Sequence, residues 1–509
     1  SSAPSRKTPK SGSMLTLPFM RSGEHDCGRL ATGRAGADAR LDEAVRSRAM
    51  AISGAFECES GAVVAGWNAP RVARGRIWSA RVGMGFSIDN LRSLGGVAFV
   101  LAVAWALSTN RKQFPWRIAG IALLIEVVIA ASMLMLPPLR AALSGLSAGL
   151  FALQAATLEG SRFVFGYLAG GAPPFDVTQP QNGTVLAFGI LPLIIVVSAL
   201  SAMLWRWGIL ERLCRGVGFA LRKTMGISGP LGLSTAANIF LGMVEAPLII
   251  RPYLARMSRA DLFAIMTTGM ATIAGTVMAL YASFLATTAP EAAGHILVAS
   301  FMAAPGSLAI ARIMMPASVE DHTAAVERPP RIYRTTMDAF ARGVQDGVNM
   351  LIAVIAMLLG AVALVALANM ILGAAIPDVN GADVTVGRIF GWVFAPVMWM
   401  LGIPWQDAMP AGELMGTKMA LNELLAYLNL SQIDAAAIEP RTRLMMIYAL
   451  CGFANFGSAA IMIGGLSTMC PERRDDFADL GLKAMLAGTL TNMLGAALIG
   501  LAPISVMQL

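Results

Sequence analysis

Residues 226–258 read GISGPLGLSTAANIFLGMVEAPLIIRPYLARMS, and this stretch decides the fold class. It is apolar enough to enter a membrane, but Gly, Pro and Ser interrupt it and Glu245 lies within it. Irregular backbone at membrane depth is tolerated only where protein or a wet cavity satisfies its polar groups. The stretch therefore predicts a re-entrant hairpin in a protein that crosses a membrane.

A second stretch of this kind covers residues 404–431, with Asn422 and Glu423 at its centre. A long apolar run follows each hairpin, at 262–288 and at 444–470. The charges of the loops predict that the first hairpin enters from the inside and the second from the outside. This order predicts an inverted-topology repeat, which is typical of secondary transporters.

The composition also indicates a membrane protein. Of the 509 residues, 56% are hydrophobic and only 14% are charged, and the mean hydropathy is +0.64. A soluble domain carries about a quarter charged residues. We predict an all-α polytopic membrane protein with about eight transmembrane helices plus the two re-entrant hairpins, with interfacial helices at 138–170. The predicted membrane helices cover residues 93–109, 118–136, 183–204, 262–288, 292–314, 347–376, 444–470 and 484–507.

The net charge is +8, and Lys and Arg cluster in short loops between the apolar runs. If the first helix starts outside, four of these clusters fall on the inner side, as the positive-inside rule requires. They are residues 110–112, 206–223, 328–342 and 471–474, with Arg441 and Arg443 as minor exceptions. No basic stripe with interleaved aromatic residues is present. We therefore expect a multi-pass protein of the cell inner membrane, in contact with lipid, and no nucleic-acid partner.

Residues 1–83 are rich in Arg, Ser, Gly and Ala without an apolar period, which is typical of a disordered extension. Met84 directly precedes the first membrane segment, so we expect the native start near it. We divide the rest of the chain into scaffold, transport-domain segments and a cytoplasmic basic loop. The scaffold covers 84–225 and 346–403, the transport domain covers 226–316 and 404–509, and the loop covers 317–345.

The five cysteines form no CxxC pair and no metal-ligand spacing, and the chain has only three histidines. This supply is too small for a zinc site or a catalytic triad. We therefore expect buried thiols, no catalytic residues and no enzymatic activity.

The tip of the first hairpin places Glu245 between Gly242 and Pro247, which both interrupt the helix. A charged group in a membrane costs about 2.5–3.5 kcal/mol on insertion scales, so it needs a partner or a function. We favour a role in ligand binding. The alternative is a structural carboxylate at the N-terminus of a half-helix.

The second hairpin carries Glu423 directly after an amide, Asn422. Carboxylates accept hydrogen bonds from sugar hydroxyl groups, which suits a polyhydroxylated ligand. The alternative is a salt bridge between Glu423 and Lys418.

Residues 452–458 read GFANFGS in the middle of a predicted membrane helix, where Asn and Gly favour local unwinding. Phe453 offers a stacking face for a planar ring, and Asn455 and Ser458 offer hydrogen bonds. The alternative for the aromatic residue is ordinary packing.

Residues 271–277 read ATIAGTV, and their small side chains permit close helix packing. They also permit a sodium site, because oxygen atoms of Thr272, Asn238 and freed carbonyl groups suit a hard cation. Glu126 has no assigned role and could pair with a neighbouring helix.

These motifs, in this order, closely resemble the concentrative nucleoside transporter family, over residues 88 to 505. The most specific pieces are NIFLGMVEAPLIIRPYL at 238–254, ATIAGTV at 271–277, ELMGTKMALNE at 413–423 and ALCGFANFGSAAIMIGG at 449–465. The resemblance implies eight membrane helices, two re-entrant hairpins and a homotrimer. It also implies one nucleoside site in each protomer, between the hairpins and two broken helices.

The resemblance assigns the site residue by residue. From the first half, Gly242, Met243, Val244, Glu245 and Val277 would line the substrate site; from the second half, Glu423, Phe453, Asn455 and Ser458 would do so. Glu423, Asn455 and Ser458 inherit the role of binding ribose. Sodium, the expected coupling ion in a protein with no other cofactor, would lie at Asn238, Leu241, Thr272 and Ile273, with Leu241 and Ile273 contributing backbone carbonyls.

The chain departs from the family at the first hairpin tip, where Met243 and Val244 stand in place of the usual Gln and Thr. Methionine adapts to irregular shapes but donates no hydrogen bond to a base edge. An acidic residue usually found shortly before the position of Asn238 is also missing around residues 230–234. We expect ribose recognition to be retained, leave the base preference open, and favour sodium over protons.

The function expected from the sequence is sodium-coupled import of nucleosides. A non-transporting scaffold with a nucleoside-recognition gate domain is one alternative, which the two carboxylates and the inverted repeat disfavour. A membrane-embedded enzyme lacks a nucleophile or metal set. A carrier of another small polar solute stays open, although two carboxylates disfavour an anion.

Overall fold

The computed structural model describes residues 88–176, 185–317, 333–379, 381 and 383–502, and these residues are mainly helical. The proposed N-terminal extension, residues 1–83, lies outside the described residues. The first half of the chain forms α1 (Ile88–Ala106), α2 (Trp116–Met135), α3 (Pro137–Phe165), α4 (Leu186–Gly189), α5 (Leu193–Arg206), α6 (Ile209–Met225), α7 (Gly229–Asn238), α8 (Glu245–Ile249), α9 (Arg251–Leu254), α10 (Arg259–Ala271) and α11 (Gly275–Leu285).

The second half follows with α12 (Ala292–Met314), α13 (Thr336–Ala375), α14 (Val386–Met400), α15 (Trp405–Ala420), α16 (Glu423–Gln432), α17 (Pro440–Leu450), α18 (Phe456–Met469) and α19 (Arg474–Gly500). Both predicted hairpins are broken helices, α7 with α8 and α9, and α15 with α16. The helix α13 already begins at Thr336, inside the segment that the sequence analysis described as a loop.

Among the described residues, seven segments are long and apolar enough to cross a membrane by length and composition. The sequence predicted about eight membrane helices. The main difference from the seven segments is at 444–470, which the structure divides into α17 and α18. The unwound residues between them, Cys451–Asn455, include Gly452, whose close contacts leave no room for a side chain. The predicted helix at 262–288 is also divided, into α10 and α11. The residues read as interfacial helices form the single helix α3 and a short 3-10 turn, Gly166–Ala169.

One end of the helix bundle is held by two buried arginines. The Arg441 guanidinium donates hydrogen bonds to the carbonyl oxygens of Gly402 (2.5 Å) and Gly500 (2.8 Å) and to the hydroxyl of Ser93 (2.8 Å). Arg443 donates to the carbonyl of Leu430 at 3.0 Å. These two arginines therefore satisfy helix ends, which explains why they do not follow the positive-inside pattern of loop residues.

A buried ion pair holds the other end. Arg312 in α12 donates to the carboxylate of Asp261 in the first turn of α10, and both side chains are almost fully buried. The hydroxyl of Ser228, just before the first hairpin, donates to the second oxygen of Asp261 at 2.8 Å. The pair therefore fixes the start of the first hairpin relative to α10 and α12.

Replacing Arg312 by Met should lower the free energy of unfolding by about 3–5 kcal/mol, because Asp261 would stay buried without its cation. Thermal unfolding of the purified protein in detergent measures this change. The double substitution Asp261→Asn with Arg312→Met should recover more than half of the loss. As a control, Arg259→Met removes an exposed pair with Asp476 and should cost less than about 1 kcal/mol. Equal losses from Arg312→Met and Arg259→Met would contradict the role of the buried pair.

Candidate functional site

The centre of the site is Glu423, the first residue of α16, which is 5% exposed. Its Oε1 accepts a hydrogen bond from the hydroxyl of Tyr281 in α11 at 2.7 Å. Its Oε2 accepts one from the amide Nδ2 of Asn455, at the start of α18, at 2.9 Å. These three residues, which we call the polar centre, join the second hairpin to both broken helices.

Two asparagines explain why the backbone breaks at these positions. Asn422 and Asn455 have extended backbone and cap the helices that follow, accepting from the N–H groups of Leu425 and Ser458, each at 2.8 Å. Capping satisfies amide groups that would otherwise be unpaired at a helix start. The positive end of the α16 dipole also stabilises the carboxylate of Glu423. The same caps therefore create the break and position the acid.

Tyr281 is a member of the polar centre that the sequence analysis missed. Its ring is fully buried and stacks on Tyr427 of the second hairpin with the ring centroids 4.8 Å apart. Tyr281 lies one helical turn after Val277, which the resemblance had placed in the site. That spacing was the signal that could have identified it, because residues four apart share one face of a helix.

The other second-half residues lie close to the polar centre along the chain. Phe453 and Ser458 are both buried, and the backbone N–H of Ser458 is used in the cap by Asn455. In the first half, Val277 is also buried and lies in the first turn of α11. The break between α17 and α18 therefore brings Asn455 to Glu423, with Phe453 and Ser458 close to Asn455 along the chain.

The tip of the first hairpin has a different character. Glu245 is exposed, begins α8, and folds its carboxylate over Gly242, so a side chain at position 242 would displace that carboxylate. Within the described residues, no hydrogen bond joins Glu245 to the polar centre. Its position at a helix start fits the capping alternative as well as a binding role.

Met243 and Val244 pack against glycines of neighbouring helices. The Cβ of Met243 lies 3.1 Å from the place that a Cβ on Gly269 of α10 would take. A Cγ of Val244 lies 2.8 Å from the corresponding place at Gly465 of α18. These apolar side chains therefore fill gaps between the hairpin and the broken helices.

The residues proposed for sodium meet where the first hairpin contacts the broken helix. The N–H of Gly275 donates to the carbonyl of Phe240 at 3.1 Å, which places residues 238–241 beside the unwound residues 272–274. Asn238 is fully buried, yet neither its amide oxygen nor its nitrogen has a hydrogen-bond partner in the described part of the chain. Such a group normally has a partner, so an unpaired amide oxygen fits a bound cation.

Thr272 and the neighbouring carbonyl groups complete this set. The Thr272 hydroxyl donates to the carbonyl of Thr268 at 2.9 Å, which leaves its oxygen lone pairs available. Ile273 is buried in the unwound segment, and Leu241 is partly buried at the end of the first arm. Oxygen atoms of this kind are the ligands that hard cations prefer.

The sequence analysis suggested a salt bridge between Lys418 and Glu423 and a pairing of Glu126 with a neighbouring helix, and both suggestions are wrong. Lys418 forms no ion pair with Glu423 among the described residues. Its ammonium donates to the carbonyl of Ala449 at 2.8 Å and to Oδ1 of Asn492 at 2.7 Å. Glu126 has no pairing residue either: it is buried against Gly306 of α12, and neither carboxylate oxygen has a partner within the described ranges.

Comparison with known proteins gives consistent results over most of the chain. Sequence profiles described as Na+ dependent nucleoside transporter N-terminus, nucleoside recognition, and Na+ dependent nucleoside transporter C-terminus match residues 95–168, 187–288 and 295–500. The nucleoside permease NupC of Helicobacter pylori is 37% identical over 427 residues, covering 81% of this chain and 98% of the permease. The chain belongs to the concentrative nucleoside transporter family.

Other members of the concentrative nucleoside transporter family agree with this assignment. The solved structure of CNTnw in an inward-facing substrate-bound state is 38% identical and has a TM-score of 0.74, covering 81% of this chain and 97% of that one. Sodium/nucleoside cotransporter 1 of Mus musculus is 31% identical over 430 residues, covering 81% of this chain and 64% of the cotransporter. Membership of this family, together with the long apolar helices, makes the chain a multi-pass membrane protein, and it favours a transporter over an enzyme.

Gly452→Ala should destabilise the site by about 1–3 kcal/mol, because the new methyl group would overpack the break between α17 and α18. Its Cβ would lie 2.6 Å from the backbone oxygen of Ala271, which cannot move without disturbing α10. Gly464→Ala in α18 is the control, since nothing lies within 4 Å of its Cβ position and alanine favours a helix. Thermal unfolding should give a lower midpoint for Gly452→Ala than for Gly464→Ala. Equal midpoints would contradict the close contact between Gly452 and Ala271.

Proposed function

We propose that this protein is a secondary active symporter that imports nucleosides across the inner membrane and is driven by sodium. The observation that carries the proposal is the polar centre, where a buried carboxylate is held between the second hairpin and both broken helices. Glu423 keeps lone pairs beyond those used by Tyr281 and Asn455, and a carboxylate suits the hydroxyl groups of ribose. The named relatives that transport nucleosides support this substrate class.

The base is expected to be recognised less strictly than the ribose. Met243 and Val244 are packed against glycine positions and offer no hydrogen bonds to a base edge. Phe453 can supply a stacking face, which every nucleobase accepts. We therefore propose that affinity comes mainly from the sugar, with weak discrimination among bases.

Sodium is the coupling ion that the first half of the chain fits best. The unpaired amide oxygen of Asn238, the Thr272 hydroxyl and the carbonyls of Leu241 and Ile273 provide oxygen ligands without a carboxylate. One ion that crosses ~100 mV and a tenfold gradient releases about 2.3 plus about 1.4 kcal/mol. This energy concentrates a neutral nucleoside several hundred-fold, on the order of what import requires.

We also propose that three copies associate, as the resemblance implies. The helix α13 leaves a surface for such an association, because none of its most apolar window is buried within one chain. Its exposed Leu359, Leu364 and Met370 need either lipid or another subunit against them.

Glu423→Gln should reduce uptake of radiolabelled uridine into proteoliposomes by about 10- to 100-fold under a sodium gradient, because a charge-assisted acceptor is lost. The control is Glu413→Gln, the same change in α15 of the same hairpin but outside the polar centre. Uptake by the wild type and by the control should be similar. If no nucleoside is taken up by intact wild-type protein, the chain is a scaffold or carries another solute.

Asn238→Leu should raise the sodium concentration that half-saturates uptake by about tenfold or more, which corresponds to about 1.4 kcal/mol of binding free energy. The protein without sodium should not become less stable, since the substitution removes a buried amide that has no partner. Ser300→Ala, which removes another unpaired buried group in α12, is the control and should leave the sodium dependence unchanged. An unchanged sodium dependence in Asn238→Leu would place the ion elsewhere, and dependence on a proton gradient alone would replace sodium as the coupling ion.

A further inference from the structure

Lys418 is a fully buried lysine in the first arm of the second hairpin. Its ammonium has no carboxylate partner within the described ranges and instead donates to the carbonyl of Ala449 (2.8 Å) and to Oδ1 of Asn492 (2.7 Å). Ala449 belongs to the last turn of α17, where helix carbonyls carry partial negative charge. A buried charge is expensive to maintain and marks a function by default.

Asn492 extends this arrangement to both broken helices. Its Nδ2 donates to the carbonyl of Ala271 (2.7 Å), the last residue of α10, and to the carbonyl of Cys451, directly after α17. Lysine has only donors and carbonyl groups only accept, so the contacts of Asn492 fix which way its amide points. Lys418 therefore holds, directly or through Asn492, carbonyl groups at the breaks of both helices.

The two halves of the repeat differ at corresponding places. In each half, the first arm of a hairpin lies beside the break of the helix that follows it. In the first half, the arm ends at Asn238, whose amide has no partner among the described residues, and Gly275 beside the break donates to the carbonyl of Phe240. In the second half, the corresponding place contains the ammonium of Lys418 beside the break at Cys451. One place has oxygen atoms that suit a cation, and the other contains the cation of a side chain.

We propose that the Lys418 ammonium is a built-in cation that takes, in the second half of the repeat, the place that sodium takes in the first. This inference rests on the proposed function, because it presupposes a sodium site at Asn238. Lys418 is then a positioning residue, because its ammonium satisfies the carbonyl groups at the breaks. The protein therefore needs only one sodium ion from outside. A side chain that removes the charge and leaves space should convert this place into a second sodium site.

The test compares Lys418→Ala, which leaves space, with Lys418→Met, which fills the space without a charge. The sodium dependence of thermal unfolding of the full chain in detergent reports how many ions bind the folded state, with choline chloride keeping the ionic strength constant. The rise in unfolding midpoint per tenfold increase in sodium should be about twice as steep in Lys418→Ala as in the wild type. Lys418→Met should keep the wild-type slope at a lower midpoint.

Uridine uptake gives a second readout with its own expectation. Its Hill coefficient for sodium should rise from about 1 in the wild type to about 2 in Lys418→Ala. Wild-type slopes and coefficients in Lys418→Ala would overturn the proposal and make Lys418 a structural residue only. If Lys418→Ala does not fold, Lys418→Ser leaves similar room. Failure of both variants to fold at molar sodium would also overturn the proposal, because a cation that sodium can replace should be rescued by sodium.

Failure of this inference differs from failure of the proposed function. If wild-type unfolding and uptake do not respond to sodium, the sodium-coupled function is wrong whatever Lys418 does. The unfolding midpoint of the wild type can rise with sodium as expected for one bound ion, while that rise is no steeper in Lys418→Ala. In that case only the proposal for Lys418 is wrong.

Discussion

The structure depends on one constraint: a helix that stops inside a membrane leaves backbone groups without water, and side chains must replace that water. At the helix starts, Asn422 and Asn455 accept from the N–H groups of the following turn. At the helix ends, Asn492 donates to carbonyl groups beside both breaks, and Lys418 donates to the carbonyl of Ala449 in α17. Without these partners the breaks would be too costly, and without the breaks Glu423 and Asn455 would not meet.

The same breaks position the groups to which the proposed function assigns a role. Glu423 follows a cap directly, so the break that exposes backbone also aims a carboxylate at Tyr281 and Asn455. Asn238 lies at the end of the first hairpin arm, beside the break at Thr272. The proposed ion and the proposed substrate are therefore linked through contiguous packing, because Asn492 contacts Ala271, just before the first break, and Cys451, at the start of the second.

The pattern of helix breakers in the sequence predicted most of this architecture. Gly, Pro and Ser in 226–258 and the polar pair at the centre of 404–431 indicated two hairpins, and both are present as broken helices. Residues 444–470 were predicted as one membrane helix with local unwinding near 452–458, and the structure has a non-helical stretch at 451–455 between α17 and α18. Unwinding there depends on the close contact of Gly452 with α10 and α19, which is a tertiary constraint that composition does not contain.

Sequence motifs predicted some residues of the site. They did not predict the residues whose role depends on contacts with distant parts of the chain. Glu423 and Asn455 were expected in the site, and the structure joins them directly. Lys418 was assigned to the wrong partner, because a nearby acid in sequence suggests a salt bridge while the fold offers two oxygen acceptors. Tyr281 was missed because an aromatic residue in an apolar helix usually serves packing, and only the fold brings its hydroxyl to Glu423.

The central claim is that the polar centre recognises ribose in a sodium-dependent way. Isothermal titration of the purified wild-type protein with uridine and with 2′,3′-dideoxyuridine, in sodium chloride and in choline chloride, tests it directly. Uridine should bind at least about tenfold more tightly than the dideoxy compound, and at least about tenfold more tightly in sodium than in choline. Equal affinities for the two nucleosides, or no binding of either, would contradict it.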